Sequence, residues 1–187
     1  MLNAISQKFY TWTTGWRVIV LLILDGLMMG YIMPLASAIM ALAANNSVLP
    51  LDLMFFYTPA KAFAMIEKYA EAGRAVYLKI ELTADILYPI IYTLFYGLLV
   101  SWLFQRAFKP GSKIQKYNVV PVGAWFFDLL ENVGIVSMLV IYPSQPAALA
   151  WLTMIVGSLK WLFASASIGL VLFSLVKAAM NGFKKQV

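Results

Sequence analysis

The chain has 187 residues, 63% hydrophobic and 12% charged, with a formal net charge of +6. A soluble domain carries about 45–50% apolar and about 25% charged residues, so this composition is that of a polytopic membrane protein of single-domain length. The absence of cysteine and histidine excludes disulfides, thiolate metal sites, thiol redox chemistry, His-ligated haem or zinc, and imidazole triads or relays.

Carboxylate, amine, guanidinium, phenol, hydroxyl and amide groups remain for chemistry, and no cofactor or metal is expected. The basic residues sit at the ends of hydrophobic segments. Anionic lipid headgroups explain them more economically than nucleic acid, so no nucleic-acid partner is expected.

The expected fold is an all-α integral membrane protein, with four transmembrane helices and one short amphipathic interfacial helix between the first and second. Residues 1–15 read as a polar and aromatic lead with one charge, Lys8; Trp12 and Trp16 are placed as interfacial anchors. The first span covers about 17–44 and is too long an apolar run for a signal peptide. It carries Asp25, a possible kink at Pro34, and a GxxxG pattern at Gly26 and Gly30. Such a pattern permits close helix approach; packing within the chain is the first expectation, and homodimerisation or docking of a membrane partner the second.

Residues 45–57 read as a turn. Thr58 and Pro59 then form an N-cap followed by proline at the first helical position. The helix over about 59–72 has a charged face with Lys61, Glu67, Lys68 and Glu71, and an apolar face with Phe63, Ile66 and Tyr69. It is too short to span, so a place in the interface is expected, as a passive element ahead of a lid. Gly73 is placed to end it.

The second span covers about 77–104. At 100° per residue, Tyr77, Glu81, Asp85, Tyr88, Tyr92 and Tyr96 fall within roughly 100° of arc. A lipid-facing helix has no use for such a stripe, which should face protein or a polar cavity. Tyr92 and Tyr96 are expected only to pack. Pro89 frees the backbone carbonyl of Asp85 and can kink the helix beside that acid.

The loop over 105–118 carries Arg106, Lys109, Lys113 and Lys116 and no acid. The third span, about 119–141, holds Asp128, Glu131 and Asn132; the fourth, about 147–176, holds Lys160 and precedes a tail with Lys177, Lys184 and Lys185. Four spans put both termini on one side, and the basic bias makes that side cytoplasmic. The expected location is the inner (plasma) membrane.

Counting about 1.5 Å per residue gives two linked polar levels. Lys160 and Asp128 lie near mid-membrane, with Asp25 close enough in depth to join them. Glu81, Asp85, Glu131 and Asn132 lie further out, with Arg74 and Lys79 above as counter-charges. An isolated charge at mid-membrane costs about 2.5–3.5 kcal/mol on insertion scales, so Lys160 needs a partner, and Asp128 is the expected one. The acids outnumber the bases within the bilayer, so some are expected to be protonated at neutral pH, through burial and like-charge repulsion.

The pattern suggests binding or transformation of a lipid-like molecule by metal-free acid–base chemistry. Asp85, Glu131, Glu81, Asp128 and Lys160 are the candidate catalytic groups; Arg74, Tyr77, Tyr88 and Asn132 are the candidate substrate contacts. Proton-coupled transport, and a role as accessory or assembly subunit of a membrane complex, are the other two readings. Membrane lipids are the expected partners in each.

Overall fold

The computed structural model describes residues 1–184. Lys185 and the side chain of Lys184, in the basic tail, lie outside the described part. Among the described residues there are seven helices: α1 Leu2–Trp12, α2 Gly15–Ala44, α3 Pro59–Lys68, α4 Ala70–Glu81, α5 Ala84–Ala107, α6 Val120–Ile141 and α7 Ala147–Lys184. Short 3-10 turns occupy Leu51–Leu53 and Lys113–Val119. Four stretches, Gly15–Ala44, Ala70–Ala107, Lys113–Ile141 and Ala147–Asn181, are long and apolar enough to cross a membrane.

α6 and α7 pack along each other, and α5 packs on both. The first half of α2 leans on α5 and its second half on α4, but α2 has no extended contact with α7. The two helices are held apart. A π-helical turn at Met28–Ile32, just before Pro34, interrupts α2. Proline cannot supply the backbone donor at its own position, and a π turn is one way a helix absorbs that loss.

The lead expected over 1–15 is largely helical. α1 buries Ser6 and Phe9 on one side, too small a signal to separate from a polar tail. Ser6 donates to Asn118 Oδ1 at 2.7 Å, and Asn118 Nδ2 donates to the Ser6 carbonyl at 3.1 Å and to Ser101 Oγ at 2.9 Å. Phe9 lies over Gly97, where an added Cβ would come within 2.6 Å of the ring. Glycine is required there by that close approach.

The segment expected to be a helix over 59–72 breaks earlier. Thr58 accepts from the Lys61 amide at 3.3 Å and Pro59 opens the helix, as the cap pattern implies. The break comes at Ala70, in the left-handed region at φ 52°. Gly73 sits inside α4, not at a helix end, because α4 crosses the end of α2 there; an added Cβ would stand 2.9 Å from the Ala44 Cβ. The apolar face of α3 is filled by the chain itself. Ala62, Phe63 and Ile66 join Met40, Leu51, Tyr69, Tyr77, Ile135 and Met138 in one core.

The stretch read as a turn over 45–57 is partly exposed and partly folded inward. Leu51, Asp52 and Tyr57 are buried in or beside that core. The second span is also divided, with a break at Leu82 and Thr83 between α4 and α5. The Thr83 hydroxyl bonds back to the Lys79 carbonyl at 2.6 Å, taking up one acceptor left by the break.

The polarity is inverted relative to a soluble bundle. Glu81 is 1% exposed and Glu131 2%, whereas Leu42 is 80% exposed and Leu152 60%. Gly26 and Gly30 also face outward, and a Cβ on either would meet nothing within 4 Å. The expectation that this pair packs within the chain is therefore corrected: α2 meets α5 and α4 through other faces.

Candidate functional site

The break between α4 and α5 does not scatter the acidic and phenolic stripe. Tyr77, Glu81, Asp85, Tyr88, Tyr92 and Tyr96 all line one cavity of about 650 Å³. Met29, Met33, Pro34 and Ser37 of α2 form the opposite wall; Lys160, Trp161, Ala164 and Ser167 of α7 form a third side, and Asp128 of α6 faces in beside them. Pro50, Asp52 and Leu53, from the inward-folded segment, close one end.

Lys160 anchors the cavity wall. Its Nζ lies 2.5 Å from Glu131 Oε2 and 3.9 Å from Asp128 Oδ1. The predicted pairing with Asp128 is the longer of the two; the closer partner is Glu131, which was expected in the outer of the two linked levels. Asp128 and Glu131 are three residues apart, so they share a helix face, and one lysine reaches both. Gly157 lies one turn before Lys160, and a Cβ there would collide with the Glu131 carboxylate. The missing side chain is the space the acid occupies. Asp128 is further held by the Tyr92 hydroxyl, which donates to Oδ2 at 2.8 Å. Tyr92 is thus part of the polar site, although pattern alone made it a packing residue.

Asn132 has a backbone task. Its Nδ2 donates to the Asp85 carbonyl at 2.9 Å. That carbonyl is the acceptor that Pro89, four residues on, leaves without a helical donor. Asn132 does not line the cavity, and neither does Glu131; both support groups that do.

Arg74 and Lys79 do not serve as counter-charges. The Arg74 guanidinium stacks over the Tyr142 ring at 4.1 Å and points an N–H at the Ile66 carbonyl at 3.5 Å. Lys79 is exposed. Asp25 is buried with Oδ1 unpartnered, but it neither lines the cavity nor pairs with Lys160. Among the described residues, the only ion pairs are those of Lys160.

Pattern reading missed Asp52 and Trp161 as parts of the site. Tyr77 donates to Asp52 Oδ1 at 2.8 Å and accepts from the Leu51 amide at 2.9 Å; Trp161 Nε1 donates to the Asp52 carbonyl at 3.3 Å. A lone acid inside the apolar run from Val48 to Tyr57 was the available signal. Nearby, burial and then the charge of Glu131 push the Tyr57 phenol above its ordinary range, so it stays a neutral hydroxyl. Tyr77→Phe removes a hydroxyl that serves two partners. We expect a loss of about 1–1.5 kcal/mol in stability, read by thermal unfolding of the purified protein.

Several acceptors facing this region have no donor. Glu81 Oε2, Asp85 Oδ2 and Asp128 Oδ1 are buried without a hydrogen-bond partner. A carboxylate left this way in a purely structural lock is costly, because burial without compensation disfavours it. The arrangement can therefore bind a donor or exchange a proton with a guest. No protein-family model, curated protein or solved structure matches this chain.

Proposed function

We propose that this protein is inserted in a membrane through its four long apolar stretches, and that its cavity binds a lipid-like small molecule for acid–base chemistry. The inverted polarity supports insertion: exposed leucines suit lipid, and buried charges suit a bundle interior. The asymmetry of basic residues supports cytoplasmic termini in an inner (plasma) membrane.

One observation carries the binding reading. The cavity lies where α2 and α7 are not packed together, and its walls mix apolar side chains with a few convergent polar groups. Ligand sites have that composition, with volumes of roughly 300–1,000 Å³. A gap between two spans gives a membrane-dissolved molecule a sideways route.

Glu81 and Asp85 are the proton-transfer groups in this reading, each with a free carboxylate oxygen in the cavity region. Glu131 moves from acid to anchor, since Lys160 holds it. Lys160 and Tyr92 position Asp128.

Gentle extraction followed by mass spectrometry tests the binding. The wild-type protein is expected to retain an apolar molecule, and Ala164→Phe, which fills the α7 wall, is expected to lose it. Recovery of the same molecules from both proteins, or of none from either, would overturn the reading.

A further inference from the structure

The charges around the cavity do not balance. Asp52, Glu81, Asp85 and Asp128 line it, Glu131 stands behind, and Lys160 is the one basic residue in the lining. That ammonium is already engaged by Glu131 and Asp128. Glu81 and Asp85 line the cavity from α4 and α5, are 1% and 5% exposed, and each keeps a buried oxygen with no donor.

Part of the remaining wall is aromatic. Tyr77, Tyr88, Tyr92, Tyr96 and Trp161 are among the residues lining the space, and the Trp161 ring already has the Lys160 ammonium 5.3 Å from its centroid. Aromatic faces attract cations, most strongly when water is excluded. Among the described residues, no three acidic side chains converge as a metal cradle. The acids are instead spread around a volume of about 650 Å³, a size that suits an organic ion.

We propose that the occupant is an organic cation: a protonated amine or quaternary ammonium on an apolar body. Its charge sits between Glu81 and Asp85, and its apolar part lies against Met29 and Met33 of α2. The proposal rests on the small-molecule cavity argued above and names the charge of what enters it. Beside a neutral guest both acids would have to hold protons, and an anion would be repelled by them in the ionised form.

The test uses the full chain in phosphatidylcholine nanodiscs and two fluorescent probes, rhodamine 6G with a fixed positive charge and neutral nile red. Anisotropy is read after subtracting empty nanodiscs. Rhodamine 6G is expected to bind at least about tenfold more tightly than nile red. Glu81→Gln and Asp85→Asn should each lower the affinity for the cation relative to nile red by about tenfold. Tyr88→Leu should also weaken the cation selectively, and it supplies the answer if a carboxylate variant does not fold.

Equal affinity for both dyes, or cation binding indifferent to these variants, overturns the proposal. If Ala164→Phe still abolishes binding in that case, the cavity takes neutral molecules while its acids hold protons, and the binding reading survives. If neither dye binds the wild-type protein, both readings fall.

Discussion

Lys160→Ala is expected to destabilise the protein by about 3–5 kcal/mol, the usual cost of removing one partner from a buried ion pair. The loss exceeds the value of the contact itself. Without the ammonium, Glu131 and Asp128 are left on one helix face with no cation in reach. Thermal unfolding of the purified protein measures it. Adding Glu131→Gln should recover part of the loss by removing one of the two stranded charges. Replacing the pair with apolar residues, Lys160→Met with Glu131→Leu, should be far milder than Lys160→Ala alone. Exchange of a buried pair for packed apolar side chains is often neutral or stabilising. A Lys160→Ala protein that unfolds like the wild type would show that Lys160 is not the anchor of this wall.

The second large effect is expected at Asn132, and it depends on Pro89. Asn132→Leu should cost about 1–3 kcal/mol, because it strands the buried Asp85 carbonyl. In a Pro89→Ala background the same change should cost much less. Alanine restores the backbone N–H at position 89, which can donate to that carbonyl as in any helix. The difference between the two backgrounds is the coupling energy of a double-mutant cycle. Equal costs in both would mean that Asn132 stabilises the bundle in some other way.

The four long apolar stretches were legible because about 20 apolar residues in a row are a strong signal. The stripe from Tyr77 to Tyr96 was legible because helical periodicity survives a short break. Its members return to one cavity although α4 and α5 are separate helices. The orphaned Asp85 carbonyl followed from Pro89 alone, but its donor did not, since nothing in sequence sets the rotation of α6 against α5.

The errors have a common physical source. Counting depth along ideal helices separated Glu131 from Lys160, because it ignored the reach of a lysine side chain. Arg74 and Lys79 were placed by charge sign, although a guanidinium can equally stack on an aromatic ring. Asp52 lies in the stretch read only as a turn, and loops normally run over the surface. Its segment instead folds inward, where Tyr77 and Trp161 supply the hydrogen bonds that make the burial possible.

The Lys160 anchor also bears on how the chain is made. Its two acids and its lysine lie on α6 and α7, consecutive helices joined by a short turn. In the proposed membrane-inserted state, a nascent chain that released this hairpin into lipid as a unit would deliver Lys160 already paired with Glu131 and Asp128. Released one helix at a time, each would carry an unmatched charge into hydrocarbon. On the proposed insertion, the pairing around Lys160 would couple the entry of the fourth apolar stretch to the presence of the third.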